Sequence, residues 1–202
     1  MMRRAHEHED EDMRDRISRI GPAVALLAAL AACASSGHKY LDRSMDFGAV
    51  KTVAVMPFAN LSRETQAADR VRDVFANALL ATEAVYVLPT GEVSRAVGRI
   101  GIPNPTAPSL EEVVKLGTAL KAEAILTGVV KEYGEVRSGQ ASGNAISLSL
   151  QMQETATGKV VWSGTSTKGG VTFSDRMFGG GGEPMNHLTE QAIDDLLNKL
   201  FK

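Results

Sequence analysis

The side chains able to do chemistry are few and scattered along 202 residues that include one cysteine and four histidines. Cys33 ends an apolar run as Leu30-Ala31-Ala32-Cys33. A lone thiol supports neither a disulfide framework within one chain nor a zinc site built from cysteines. His6, His8, His38 and His187 have no mutual ligand spacing, so no metal is expected, and His187 reads as a surface residue ahead of a helix. Gly179 to Gly182 lies in neither a G-x-x-x-x-G-K-[ST] nor a strand–G-x-G-x-x-G context, so it reads as a loop rather than a phosphate cradle. Glu111-Glu112 follows Ser109 at the spacing of a helix capping box, a simpler role than an acid–base pair. Asp194-Asp195 falls on the polar side of the last helical stripe, and Ser62 and Ser94 lack the G-x-S-x-G elbow. No catalytic set and no cofactor site emerge, and an enzyme is not expected.

The surroundings of Cys33 give it a different chemistry. Gly21 to Ala32 is an unbroken small and aliphatic run, far too short to cross a ~30 Å hydrocarbon core as a helix. A run of that length behind basic residues is the apolar segment of a signal peptide. Its end resembles the lipobox of bacterial lipoproteins, which implies cleavage between Ala32 and Cys33 and acylation of Cys33. Met1 to Asp12 carries five acids against two arginines, the wrong sign for the flank of such a signal, whereas Met13 to Arg19 carries three arginines and one aspartate. Residues 1–32 are therefore expected to be a signal peptide, with translation starting at Met13 and residues 1–12 a mis-called start. Ala34 after the cysteine is not the aspartate that retains lipoproteins in the inner membrane of enterobacteria-like hosts. The resemblance thus implies lipid anchoring to the periplasmic face of the outer membrane.

Composition agrees with one folded domain behind that address. The chain is 44% hydrophobic, 23% charged and 5% aromatic, with a mean hydropathy of −0.08. It is too apolar for a disordered chain and too polar for a multispan membrane protein. A formal charge of −2 gives no electrostatic case for nucleic-acid binding. Residues 33–50 lack periodicity and read as a lipidated flexible tether, spanning at most about 60 Å when stretched. Residues 51–202 then read as one periplasmic α+β domain. Thr52 to Phe58 is a β-branched run ended at Pro57, and Glu64 to Ala81 carries one core-facing helical stripe. Val85 to Leu88 predicts a strand, Gly91 to Arg99 a short helix, and Ile102 to Pro108 a loop. Ser109 opens a helix burying Leu110, Val113, Val114 and Leu120. Ala124 to Tyr133 predicts a long strand. Strict alternation of Ile146, Leu148, Leu150 and Met152 with polar residues predicts a half-wet strand, and Thr157-Gly158 turns it into a hairpin with Lys159 to Thr167. Leu188, Ala192, Ile193, Leu196, Leu197 and Leu200 stripe a C-terminal helix. The order β-α-β-α-α-β-β-β-α implies a single domain with a mixed sheet covered by helices.

Val53-Ala54-Val55-Met56-Pro57-Phe58-Ala59-Asn60-Leu61-Ser62 resembles the first strand and loop of the CsgG, PelC and LpoB-like group of bacterial outer-membrane lipoproteins. That group shares the fold of the TolB N-terminal domain. The similarity continues in Tyr86-Val87-Leu88-Pro89, in Leu116-Gly117, in Ala122 to Gly128 and in Thr157 to Trp162. It implies a non-enzymatic periplasmic scaffold, several members of the group being oligomeric rings. A CsgG-like channel needs additional membrane-crossing hairpins, and the alternating segments here are already used by the core hairpin. An LpoB-like activator reaches through the cell wall on a long arm, whereas this tether is short. The expectation is a PelC-like assembly or export accessory, probed against a periplasmic regulator that docks onto a cell-wall enzyme such as a penicillin-binding protein. The expected partners are the membrane through acylated Cys33, further copies of the chain, and export or cell-wall proteins, with no nucleic acid. The glycine-rich stretch Val171 to Met185 carries Phe173, Met177 and Phe178; large apolar residues in a loop must meet the core or a partner, folding back on the core being the plainer reading and a role as interaction anchors the sharper one.

Overall fold

A computed structural model describes residues 39–171 and 182–202. Seven strands form one sheet in the order β1-β7-β6-β5-β2-β4, with β3 attached to β5 beyond the end of β2. The strands are β1 (Lys39–Leu41), β2 (Thr52–Val55), β3 (Ala59–Asn60), β4 (Tyr86–Val87), β5 (Ala124–Ser138), β6 (Ala141–Glu154) and β7 (Val160–Gly169). The helices are α1 (Ala67–Ala81), α2 (Thr90–Ile100), α3 (Leu110–Leu120) and α4 (Met185–Phe201). β2, β4 and β5 run parallel, while β6, β7 and β1 alternate in direction. The sheet is mixed and the class is α+β, as the order of periodic segments predicts.

The period of two splits the apolar residues between two faces. Val53, Val55, Leu126, Leu148, Leu150, Met152 and Trp162 face α1 and α4, meeting Phe75, Leu79, Leu188 and Leu196. Ala54, Met56 and Ile125 point to the other face, where α2 and α3 cover them with Val93, Ala96, Val113 and Leu116. Trp162, fully buried, donates its indole N–H to the Lys199 carbonyl at 3.3 Å, tying β7 to the last turn of α4.

Several boundaries move for identifiable reasons. β2 stops at Val55, although the Met56 N–H still donates to the Leu126 carbonyl, and the chain then bends at Pro57 toward β3. α1 begins at Ala67 rather than Glu64, because residues 60–65 are held in a side-chain-bonded turn described below. Leu110, read as buried, is 51% exposed. β5 and β6 run beyond their predicted ends as a two-stranded arm, joined across the register from Glu132↔Ser147 to Ser138↔Ala141. Their outer residues lose the apolar alternation because no helix among the described residues covers them, and a bulge at Lys131 re-aims β5 where the arm begins. The largest difference falls at the other end. Lys39–Leu41, expected inside a tether, pairs antiparallel with Gly164–Trp162 of β7, and Asp46 caps a short 3-10 turn at Phe47–Ala49. Among the described residues, pairing into the sheet thus already begins at Lys39, ahead of Lys51. A three-residue edge strand with all its side chains exposed is held mainly by backbone pairing, which leaves no hydrophobic pattern to read.

Candidate functional site

Among the described residues, Ser62, Ser94, Ser109, Glu112 and His187 each have a hydrogen-bond or ion-pair partner. The Asn60 Oδ1 accepts from the Ser62 N–H at 3.0 Å and the Ser62 hydroxyl at 2.7 Å, and its Nδ2 donates to the Glu64 and Thr65 carbonyls. Asn60 and Ser62 thus build the turn that delivers the chain from β3 to α1. Ser109 and Glu112 form the expected reciprocal cap: the Glu112 N–H donates to the Ser109 hydroxyl at 3.3 Å, and the Glu112 carboxylate accepts the Ser109 N–H at 2.7 Å. His187 is half-exposed and pairs with the Glu183 carboxylate.

Asp195 is not the solvated residue its position on the helix suggests. It lies under the side chains of Lys199, 2.7 Å away, and Lys168, 3.9 Å away, and is only 29% exposed. Burial opposes its charge, but the hydrogen bond and field of Lys199 outweigh that and hold the carboxyl below its ordinary value. Lys199 also donates to the Thr165 carbonyl at 2.8 Å, so this cluster fastens α4 to β7. Asp194 is exposed.

Sequence reasoning passed over Arg72, which occupies the core-facing stripe of α1 between Ala68 and Phe75. An arginine in phase with buried apolar residues was the available signal. Its guanidinium donates to the Val55 carbonyl at 2.8 Å, a group aimed at the position where β4 would have continued had Pro89 not turned the chain into α2. Its Nε is buried without a partner, and burial lowers its pKa against the pull of Asp73 and Asp69. This arginine closes the end of the parallel strands.

The open surface features are a groove and two sheet ends. The groove, of about 1010 Å³, runs between the β3–α1 turn and the arm. Leu61, Arg63, Arg70, Tyr133, Glu135 and Met185 contribute to its walls, with Leu61 71% exposed. The Glu135 carboxyl is held low by the Ser142 hydroxyl and by Arg137. The walls carry both signs of charge, from Arg63, Arg70, Glu64 and Glu135. Among the described residues, no group of three or more His, Cys, Asp and Glu could hold a metal, and no helix is long and apolar enough to cross a membrane. Ala32, Cys33, Phe173, Met177 and Phe178 lie outside the described residues.

The fold has known counterparts. A PelC dodecamer from Paraburkholderia phytofirmans superposes with a TM-score of 0.55 at 18% identity, covering 82% of this chain and 98% of that one. Lipoprotein GNA1162 from Neisseria meningitidis gives 0.52 at 21% identity, covering 74% and 97%. The C-terminal domain of LpoB from Escherichia coli is more distant, at 0.47 and 17% identity over 62% and 88%. No curated protein sequence matches the chain. The shared fold bears out the resemblance read from the strand, loop and hairpin motifs, and the family model for GNA1162-like lipoproteins matches residues 45–199. The chain belongs to the GNA1162-like lipoprotein family.

Proposed function

We propose that this protein is a non-enzymatic accessory scaffold of the cell envelope, anchored to the periplasmic face of the outer membrane by acylated Cys33 and assembled from several copies of itself. The observation that carries this reading is the match of residues 45–199 to a lipoprotein family, directly downstream of a lipobox-like Leu30-Ala31-Ala32-Cys33. The oligomeric part is supported by the likeness of the fold to PelC, a dodecamer, over nearly the whole of that chain. Phe173, Met177 and Phe178 are proposed as contacts to a neighbouring copy or an export partner.

Two acyl chains or more, at about 0.8 kcal/mol per buried CH₂, anchor a protein stably where one chain does not. The test is therefore at Cys33. The Cys33→Ser protein should accumulate as unprocessed precursor, and the wild type should fractionate with the outer membrane. A Cys33→Ser chain that is still cleaved and membrane-bound would remove the anchor. The mass of the detergent-extracted wild type tests the assembly: a multiple of the protomer supports the scaffold, and a monomer favours a regulator that docks onto a cell-wall enzyme.

A further inference from the structure

Exposed apolar side chains gather at the β1 rim of the sheet. Tyr40 is 50% and Leu41 40% exposed on β1, and Phe201 is 47% exposed in the last turn of α4. Lys39 and Leu41 lie opposite Gly164 and Trp162, on the side that α4 covers, whereas Tyr40 lies opposite Ser163 on the other side. The Trp162 indole reaches the Lys199 carbonyl, which sets the last turn of α4 beside the same rim. The rim thus shows apolar surface to both sides, a pattern that serves an edge-on contact better than packing on one face.

We infer that this rim rests against the headgroups of the membrane that holds the lipid anchor; the inference rests on the acylation of Cys33 proposed above. What selects the bilayer as the occupant is the covalent leash. Five residues, Ala34 to His38, separate Cys33 from Lys39, and in any conformation that length reaches at most about 21 Å. β1 is therefore held beside the surface, and touching it is an intramolecular event for which a weak affinity suffices. The opposite end of the sheet, with exposed Tyr86, lies five strand spacings farther on, about 24 Å along the sheet.

The chemistry of the rim also sets its depth. Among the described residues no strand pairs with the outer edge of β1. An open backbone edge cannot enter hydrocarbon, where its N–H and C=O groups would lose water. At headgroup depth those groups stay hydrated while Tyr40, Leu41 and Phe201 reach the acyl boundary. Lys39 and Arg43 are exposed and, among the described residues, pair with no carboxylate, which leaves both for lipid phosphates. The acids beside them are turned back on their own backbone. Asp42 accepts the Ser44 N–H at 2.9 Å and the Ser44 hydroxyl at 2.7 Å, and Asp46 accepts the Gly48 N–H at 2.9 Å.

The full-length lipoprotein in vesicles of phosphatidylethanolamine and phosphatidylglycerol tests this. The wild type should take up no thiol-reactive fluorophore, because its one cysteine is acylated. Tyr40→Cys, Leu41→Cys, Phe201→Cys and Tyr86→Cys each then offer one labelling site. All four positions are exposed, so melting temperatures should stay near the wild type. Lipids carrying a nitroxide at the headgroup should quench the labels at 40, 41 and 201 severalfold more than the label at 86. They should also quench more than lipids with the nitroxide deep in the acyl chain. Adding Lys39→Glu and Arg43→Glu to the Tyr40→Cys chain should reduce that quenching while the protein still floats with the vesicles. Equal quenching at 40 and 86 in a protein that floats would overturn the rim contact and leave the anchor standing. Labels at 40 and 41 that are shielded from aqueous iodide yet untouched by either nitroxide lipid would overturn it in favour of a second copy on this edge. A wild type that takes up label and does not float would overturn the anchor and this inference together.

Discussion

Gly117 stands where α3 meets the β6–β7 turn, and an ideal Cβ built there falls 2.2 Å from the Cβ of Thr155. Thr155 cannot simply rotate away, because the clash is at its Cβ and its hydroxyl donates to the Ala122 carbonyl at 2.6 Å. Gly117→Ala is expected to cost about 1–3 kcal/mol through overpacking and to lower the melting temperature measurably. The Leu116-Gly117 pair quoted in the family resemblance thus has a steric reason. Asp195 gives a pH-dependent expectation. Its folded pKa lies below the ordinary 3.8, so its contribution is present above that value and is lost as pH falls through the folded value. Asp195→Asn should therefore lower the melting temperature at neutral pH, and the gap to the wild type should shrink as pH drops below 3.8. A gap independent of pH would mean that the Lys199 contact contributes nothing.

At the scale of elements, legibility followed burial. The helices and the β6–β7 hairpin showed in the sequence because half of each is buried and half is wet, which writes a period of 3.6 or 2 into the residue types. The Ser109–Glu112 cap was legible for a different reason, since both partners lie within one turn. β1 left no such trace, and neither did the outer arm of β5 and β6, where backbone pairing continues after side-chain burial has ended. β1 nonetheless matters to the core. Leu41 pairs with Trp162, and Met45 and Phe47 pack against the cluster that contains it. A chain beginning at Lys51 should melt below one beginning at Lys39, with Trp162 more accessible to a fluorescence quencher. Equal melting temperatures would mean that residues 39–50 are dispensable. The anchor proposed at Cys33 rests on a linear pattern that a sequence displays directly, whereas the groove and the sheet ends exist only once distant segments meet.

For the whole molecule, the pairing of β1 with β7 has a kinetic consequence. Lys39 lies opposite Gly164, so the strand made first must wait for the strand made nearly last. Loop-closure entropy makes such a distant contact slow to form, while the β5–β6 and β6–β7 hairpins need only local closure. In a chain that reaches its compartment N-terminus first, β1 stays unpaired until β7 has arrived. The processing and acylation proposed at Cys33 would then meet a chain whose β1 has yet to pair, and the closing of β1 is expected as a late step in refolding.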